Sequence, residues 1–252
     1  MDARLQEVLA LLQQHGLKEL PPTAPLRRLL LASEYAATVM AQHPAQAAEL
    51  LLSGELERTR RPEEYVQACA ALQPVDEADF MVALRQYRRR EMLRWLFRDA
   101  NDLCPVQELT RELSDFADAA IGAALQYARK SLVALHGEPV GEEDGLAQPL
   151  CVIGMGKLGA QELNLSSDID LIFTFPEAGE TAGPTVISNQ EFFIRLGQKI
   201  IRYLDEVTAD GFVFRVDMRL RPWGDGSALA SSFSAMETYY ERHGREWERY
   251  AL

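Results

Sequence analysis

Asp168 and Asp170 stand two residues apart at the head of an apolar run, Ile169 and Leu171 to Phe173. Side chains alternate across a strand, so both carboxylates would leave one face while Ile169 and Leu171 turn to a core. Two like charges held that close repel each other unless a cation sits between them. Hard oxygen ligands of this kind suit Mg²⁺, with phosphate oxygens completing its shell. The bland alternative is an Asx-type turn at a strand end. A tight glycine turn, Gly154-Met155-Gly156-Lys157-Leu158-Gly159, comes shortly before the pair. Lys157 on that turn reads either as a surface lysine or as a phosphate contact.

A third acid lies further along, in the alternating segment from Phe212 to Arg221. Phe214, Val216, Met218 and Leu220 would face a core, leaving Arg215, Asp217, Arg219 and Arg221 in one polar row. A water-facing edge strand gives the same row. Beside the Asp168/Asp170 pair, however, Asp217 would make a triad able to hold two divalent ions about 3.5–4 Å apart, as in phosphoryl or nucleotidyl transfer. Arginines two residues along are suited to bidentate phosphate contacts.

The glycine turn also fits GxGxxG after a strand-like Leu150 to Ile153, with Glu177 near the place of a ribose-binding acid. That keeps a dinucleotide-binding fold as the rival. It needs a helix of several turns after the third glycine, and only about eight residues separate Gly159 from Asp168. A P-loop is excluded, because Leu158 follows Lys157 where Ser or Thr is required. No GxSxG elbow is present, and Ser166 and Ser167 read as turn or capping residues. His15, His43, His136 and His243 are scattered, without metal-ligand spacing.

The elements that must position these groups fall into two regimes. Up to about His136 the periodicity is helical: Leu5, Val8, Leu9 and Leu12, then Leu26, Leu29, Leu30 and Tyr35. Pro21-Pro22 separates these segments and Pro44 closes the second. Long helices are expected from Asp76 to about Asp102 and from about Val106 to Leu135. The first carries Arg85, Arg88, Arg89, Arg90, Arg94 and Arg98, read as a solvated face, with an anionic partner as the sharper alternative. Residues 137–146 are polar, acidic and glycine-bearing, as a linker would be. Thereafter come short apolar runs, Leu150 to Ile153, Ile169 to Phe175 and Phe212 to Leu220. A helical pattern from Phe192 to Leu204 lies between the last two, and another runs from Phe233 to Leu252. The expected domains are 1–136 and 147–252.

With 252 residues the chain has room for two modest domains. A net charge of −12 argues against a nucleic-acid partner, since phosphate neutralisation needs clustered Lys and Arg. Cys69, Cys104 and Cys151 are odd in number and show no CxxC spacing, so they read as reduced thiols. No apolar run approaches the ~18 residues of a membrane helix, and no signal-peptide layout opens the chain. Together these point to the cytoplasm, without membrane.

Taken together the motifs resemble the bacterial glutamine synthetase adenylyltransferase/adenylyl-removing enzymes. The likeness runs from Gly154 to Gly159, through Glu162-Leu163-Asn164 and Ser166 to Phe173, then Arg215 to Pro222 and Trp247-Glu248-Arg249-Tyr250. It reaches back to Leu84-Arg85-Gln86-Tyr87-Arg88-Arg89-Arg90-Glu91-Met92. The resemblance implies an α+β chain, with an all-α N-terminal domain before a DNA polymerase β-like nucleotidyltransferase domain on a small mixed sheet. It implies that Asp168, Asp170 and Asp217 are the metal-binding and catalytic acids, with Mg²⁺ as cofactor. Gly156 and Lys157 would take the place of the fold's phosphate loop, where the lysine departs from the wider superfamily. Ser167, Arg219 and Arg221 join them as nucleotide- or phosphate-binding candidates.

In that family one domain removes AMP from a tyrosine of glutamine synthetase by phosphorolysis, releasing ADP. A second attaches AMP from ATP, under PII-type signal proteins and glutamine. The helical region followed by Gly-Met-Gly-Lys-Leu-Gly is similar to the adenylyl-removing half, so this chain is expected to be a truncated form lacking the second transferase domain. Implied partners are glutamine synthetase, a PII-type protein, and ATP, ADP and phosphate. The alternatives are adenylylation by this chain, an NAD-binding oxidoreductase domain, or a docking module without turnover.

Overall fold

A computed structural model describes residues 2–15 and 23–250; the Pro21-Pro22 break and residues 251–252 lie outside the described residues. Helices α1 (Asp2–Gln14), α2 (Thr23–Ala32), α3 (Glu34–Gln42), α4 (Pro44–Leu52) and α5 (Pro62–Ala70) come first. The long helices α6 (Glu77–Ala100) and α7 (Val106–His136) follow. Then come β1 (Pro139–Gly141), β2 (Cys151–Met155), the single-turn α8 (Gly156–Gly159), β3 (Ile169–Phe175) and β4 (Gly179–Thr181). Helix α9 (Asn189–Asp205), β5 (Val216–Asp217), β6 (Ala230–Ser232) and α10 (Phe233–Arg242) complete the order. The architecture is α+β. No helix among the described residues is long and apolar enough to cross a membrane.

The chain divides into two compact units, residues 1–61 with 74–112, and residues 62–73 with 113–252. The first is helical. Leu5, Val8, Leu9 and Leu12 of α1 pack with Leu26, Leu29, Met40, Leu50, Leu93 and Phe97 in one apolar core. Its second helical segment is not continuous to Pro44. Ser33 interrupts it, accepting a hydrogen bond from the Ala36 amide at 3.1 Å and so capping α3. Helix α6 opens in the same way, Asp76 accepting from the Asp79 amide at 2.8 Å.

The arginines of α6 overturn the solvated-face expectation. Arg85, Arg89, Arg94 and Arg98 are buried, in company with the buried acids Glu91 and Glu112. Arg94 Nε donates to Glu91 Oε2 at 2.8 Å, Arg98 Nη1 to Glu112 Oε1 at 2.6 Å, and Trp95 Nε1 to Glu112 Oε2 at 3.1 Å. Burying a guanidinium requires such a paired carboxylate, and here most are supplied by the start of α7, beyond the reach of helix periodicity.

The second unit carries the sheet. The Phe116 ring on α7 meets Tyr65 of α5 and Phe214, both at 5.8 Å between centroids. Strand β3 is central and almost wholly buried; it pairs antiparallel with β2 and parallel with β5, then with β6 further along. Helix α9 packs closely on it because Gly197 has no side chain: a Cβ there would stand 2.7 Å from the Phe173 ring. Phe193 of α9 stacks on Phe175 at 4.7 Å. The stretch 137–146 contributes β1, which pairs antiparallel with β4.

The strand expected over Phe212 to Leu220 is shorter, with only Val216 and Asp217 joining the ladder. Val213 and Phe214 are buried in succession, and both amides donate to the Leu204 carbonyl at the end of α9 (2.8 and 3.0 Å). That capping role takes the segment out of strand alternation. At the end of the chain, α10 stops at Arg242, and residues 246–250 form a separate 3₁₀ turn.

Candidate active site

The site is built on the edge where β2, β3 and β5 begin or end. Met155, last residue of β2, is the register partner of Asp170. The next residue, Gly156, adopts φ +54°, and a Cβ on it would stand 3.0 Å from Asp170 Oδ2. Glycine is therefore required twice over, for a left-handed backbone and for close approach to the carboxylate. Lys157 is exposed on the single turn of α8, its carbonyl accepting from the Glu162 amide at 2.7 Å.

A second turn delivers the chain to the acids. Asn164 Oδ1 accepts from Ser167 Oγ at 2.9 Å and from the Ser166 amide at 3.2 Å. The Asn164 amide donates back to Ser167 Oγ at 3.3 Å. Both serines thus act as turn residues. Asp168 follows, exposed, taking Arg215 Nε at 2.8 Å. Asp170 is half-buried, and across the parallel pairing its register partner is Asp217.

Asp217 is held by Arg219. Its Oδ1 accepts from the Arg219 amide at 2.8 Å, and Arg219 Nε reaches Oδ2 at 2.7 Å, with Nη2 on the same oxygen. Those hydrogen bonds keep the Asp217 carboxyl below the ordinary carboxylate range, against an opposing effect of burial. Asp170 moves the other way. Burial raises it first, then the charges of Asp217 and Asp168, with only Arg219 opposing. Asp168 thus stands just before β3, and Asp170 and Asp217 face each other across β3 and β5, close enough for the charges of Asp217 and Asp168 to act on Asp170.

Not every expected residue takes part equally. Arg219 lies on the acids, but Arg221 is turned to its own loop, donating from Nη1 to the Met218 carbonyl at 2.7 Å and to Asp225 Oδ1 at 3.2 Å. Arg215, which the polar row contained but which was not singled out, pairs with Asp168; the signal was its place two residues before Asp217. No group of three His, Cys, Asp or Glu among the described residues is placed to hold a metal ion.

The dinucleotide-binding rival fails on connectivity. That fold needs parallel strands joined by a crossover helix, whereas β2 and β3 are antiparallel and α8 has four residues. Glu177 is engaged elsewhere, accepting from the Glu143 amide at 3.2 Å.

Fold and site together define an α+β protein whose small mixed sheet presents three carboxylates beside a glycine turn. A model of the glutamate-ammonia ligase adenylyltransferase family matches residues 23–252, and the chain belongs to that family. It is 54% identical over 242 residues to the bifunctional glutamine synthetase adenylyltransferase/adenylyl-removing enzyme of Acinetobacter baylyi, covering 95% of this chain and 26% of the relative. The protein of the same name from Pseudomonas putida is 48% identical over 94% of this chain and 25% of its own length. That from Nitrosococcus oceani is 46% identical over 99% and 26%. The chain thus spans about a quarter of the length of the curated relatives it matches.

Proposed function

We propose that this chain is the adenylyl-removing portion of a glutamine synthetase regulator, with residues 147–252 as its nucleotidyltransferase part. The reaction is attack of inorganic phosphate on the adenylyl-tyrosine phosphodiester of glutamine synthetase: a new P–O bond forms, the tyrosyl oxygen leaves, and ADP is released. The observation that carries this reading is the pairing of Asp170 with Asp217 on parallel strands, with Gly156 packed against Asp170.

The donor chemistry suits a divalent cation, because Asp168, Asp170 and Asp217 offer hard carboxylate oxygens and Asp170 and Asp217 are register partners on neighbouring strands. Asp168, Asp170 and Asp217 would hold Mg²⁺, which when bound offsets negative charge on the transferring group. The chain's own residues do the rest. Arg219 is exposed and can exchange its carboxylate for a phosphate oxygen, since such ion pairs are weak in water. The Gly156 turn lies against Asp170, and exposed Lys157 follows it in the chain; together they would orient the phosphate. Positioning and charge stabilisation of this kind provide most of the catalysis in phosphoryl transfer. A PII-type protein and ATP belong to the same reading as regulator and ligand of the longer protein.

Mixing the chain with adenylylated glutamine synthetase, phosphate and Mg²⁺ tests it. ADP should appear, and should be lost in Asp168→Asn. Absence of ADP with the wild-type chain, or unchanged release by the variant, overturns the reading.

A further inference from the structure

Trp223 has an unusual backbone for its size. With φ +60° and ψ 6° it occupies the left-handed region, which bulky L-residues rarely adopt. The other non-glycine residues in that region among the described residues are Asp102 and Gln161, both small or flexible polar types. Core packing does not account for the tryptophan, because 49% of its surface stays exposed. It rests on the Tyr239 ring, centroids 4.6 Å apart, with His243 at 6.4 Å. Strained positions of this sort collect at functional sites.

The loop that carries the indole folds back on the segment after Asp217. The Arg221 amide donates to the Met218 carbonyl at 3.3 Å, and the Gly224 amide to the Arg221 carbonyl at 2.8 Å. Ser227 Oγ ties the return, donating to the Pro222 carbonyl at 2.6 Å. A Cβ on Gly224 would lie 3.8 Å from the Arg219 carbonyl, so the chain at Trp223–Gly224 lies against the residue that holds Asp217. Carboxylate, guanidinium and half-open indole therefore follow one another along a single wound loop. A nucleotide likewise presents phosphate and aromatic base in succession, so one short loop carries a candidate contact for each.

We infer that Trp223 is the stacking platform for the adenine ring of the adenylyl group. Its strained backbone presents one indole surface while Tyr239 supports the side chain. The inference rests on the nucleotidyltransferase reading above and adds to it the element that selects a base. Aromatic–base stacking is worth roughly 1–3 kcal/mol by alanine substitution, which is about 5- to 150-fold in affinity.

Calorimetric titration of the whole chain with ADP and Mg²⁺ tests it, with ribose 5-phosphate as a probe lacking the base. Trp223→Ala should weaken ADP binding by that factor, Trp223→Phe by much less, and neither should change ribose 5-phosphate binding more than about twofold. Trp223→Gly relieves the backbone strain, so it should melt no lower than wild type yet lose ADP affinity equally; this separates stacking from folding. ADP should also quench tryptophan fluorescence in wild type and fail to do so in Trp223→Phe. Equal ADP affinity in wild type and Trp223→Gly overturns this inference alone. Failure of the wild-type chain to bind ADP overturns it together with the proposed function.

Discussion

Replacing Asp170 with Asn should stabilise the protein while ending its turnover. Asp170 and Asp217 are register partners on parallel strands, and neighbouring strands lie about 4.8 Å apart. Two unit charges about 5 Å apart repel by about 0.8 kcal/mol in water and about 3 kcal/mol at an effective dielectric of 20. The Arg219 guanidinium on Asp217 cancels much of this, and the partial exposure of Asp170 adds solvent screening. The net gain on removing the charge is then about 0.5–1.5 kcal/mol at neutral pH. The sign with pH follows from the raised Asp170 carboxyl. A folded-state pKa above the unfolded one gives a contribution that is complete below the unfolded pKa and lost as pH rises through the folded value. The advantage of Asp170→Asn should accordingly be small near pH 4 and grow toward pH 7. Urea unfolding of both proteins across that range measures it. A variant less stable than wild type at pH 7, or a gap that does not change with pH, would refute the reasoning.

Three further outcomes follow from the geometry. Glu112→Gln withdraws the buried charge that meets Arg98 Nη1 at 2.6 Å and also pairs with Arg94, and should cost about 3–5 kcal/mol in urea unfolding. Glu206→Gln, at an exposed pair with Arg202 Nε 2.8 Å away, should stay within about 0.5 kcal/mol and serves as the control. Gly156→Ala places a Cβ 3.0 Å from Asp170 Oδ2 on a left-handed backbone, with a strain of about 1–2 kcal/mol. Its turnover should fall far more than its melting temperature, and wild-type turnover would show that the turn is not coupled to the acid.

Much of the framework could be read from local pattern, because periodicity and caps are short-range properties. The run Ile169 to Phe175 announced β3, and the stripe from Phe192 to Leu204 announced α9. Asp168 lies just before β3, which begins at Ile169, so strand alternation governs Asp170 but not Asp168. Ser33 was missed as a cap because the apolar and alanine-rich pattern continues across it on both sides.

What no local pattern contained was which distant groups would meet. Parallel pairing of β3 with β5 sets Asp217 opposite Asp170, and it depends on α9 carrying the chain back along the sheet. The arginines of α6 looked like a wet face, yet most of the carboxylates that allow their burial come from another helix. Charge, propensity and spacing are written residue by residue. Burial and pairing belong to contacts between segments, so only the folded chain decides them.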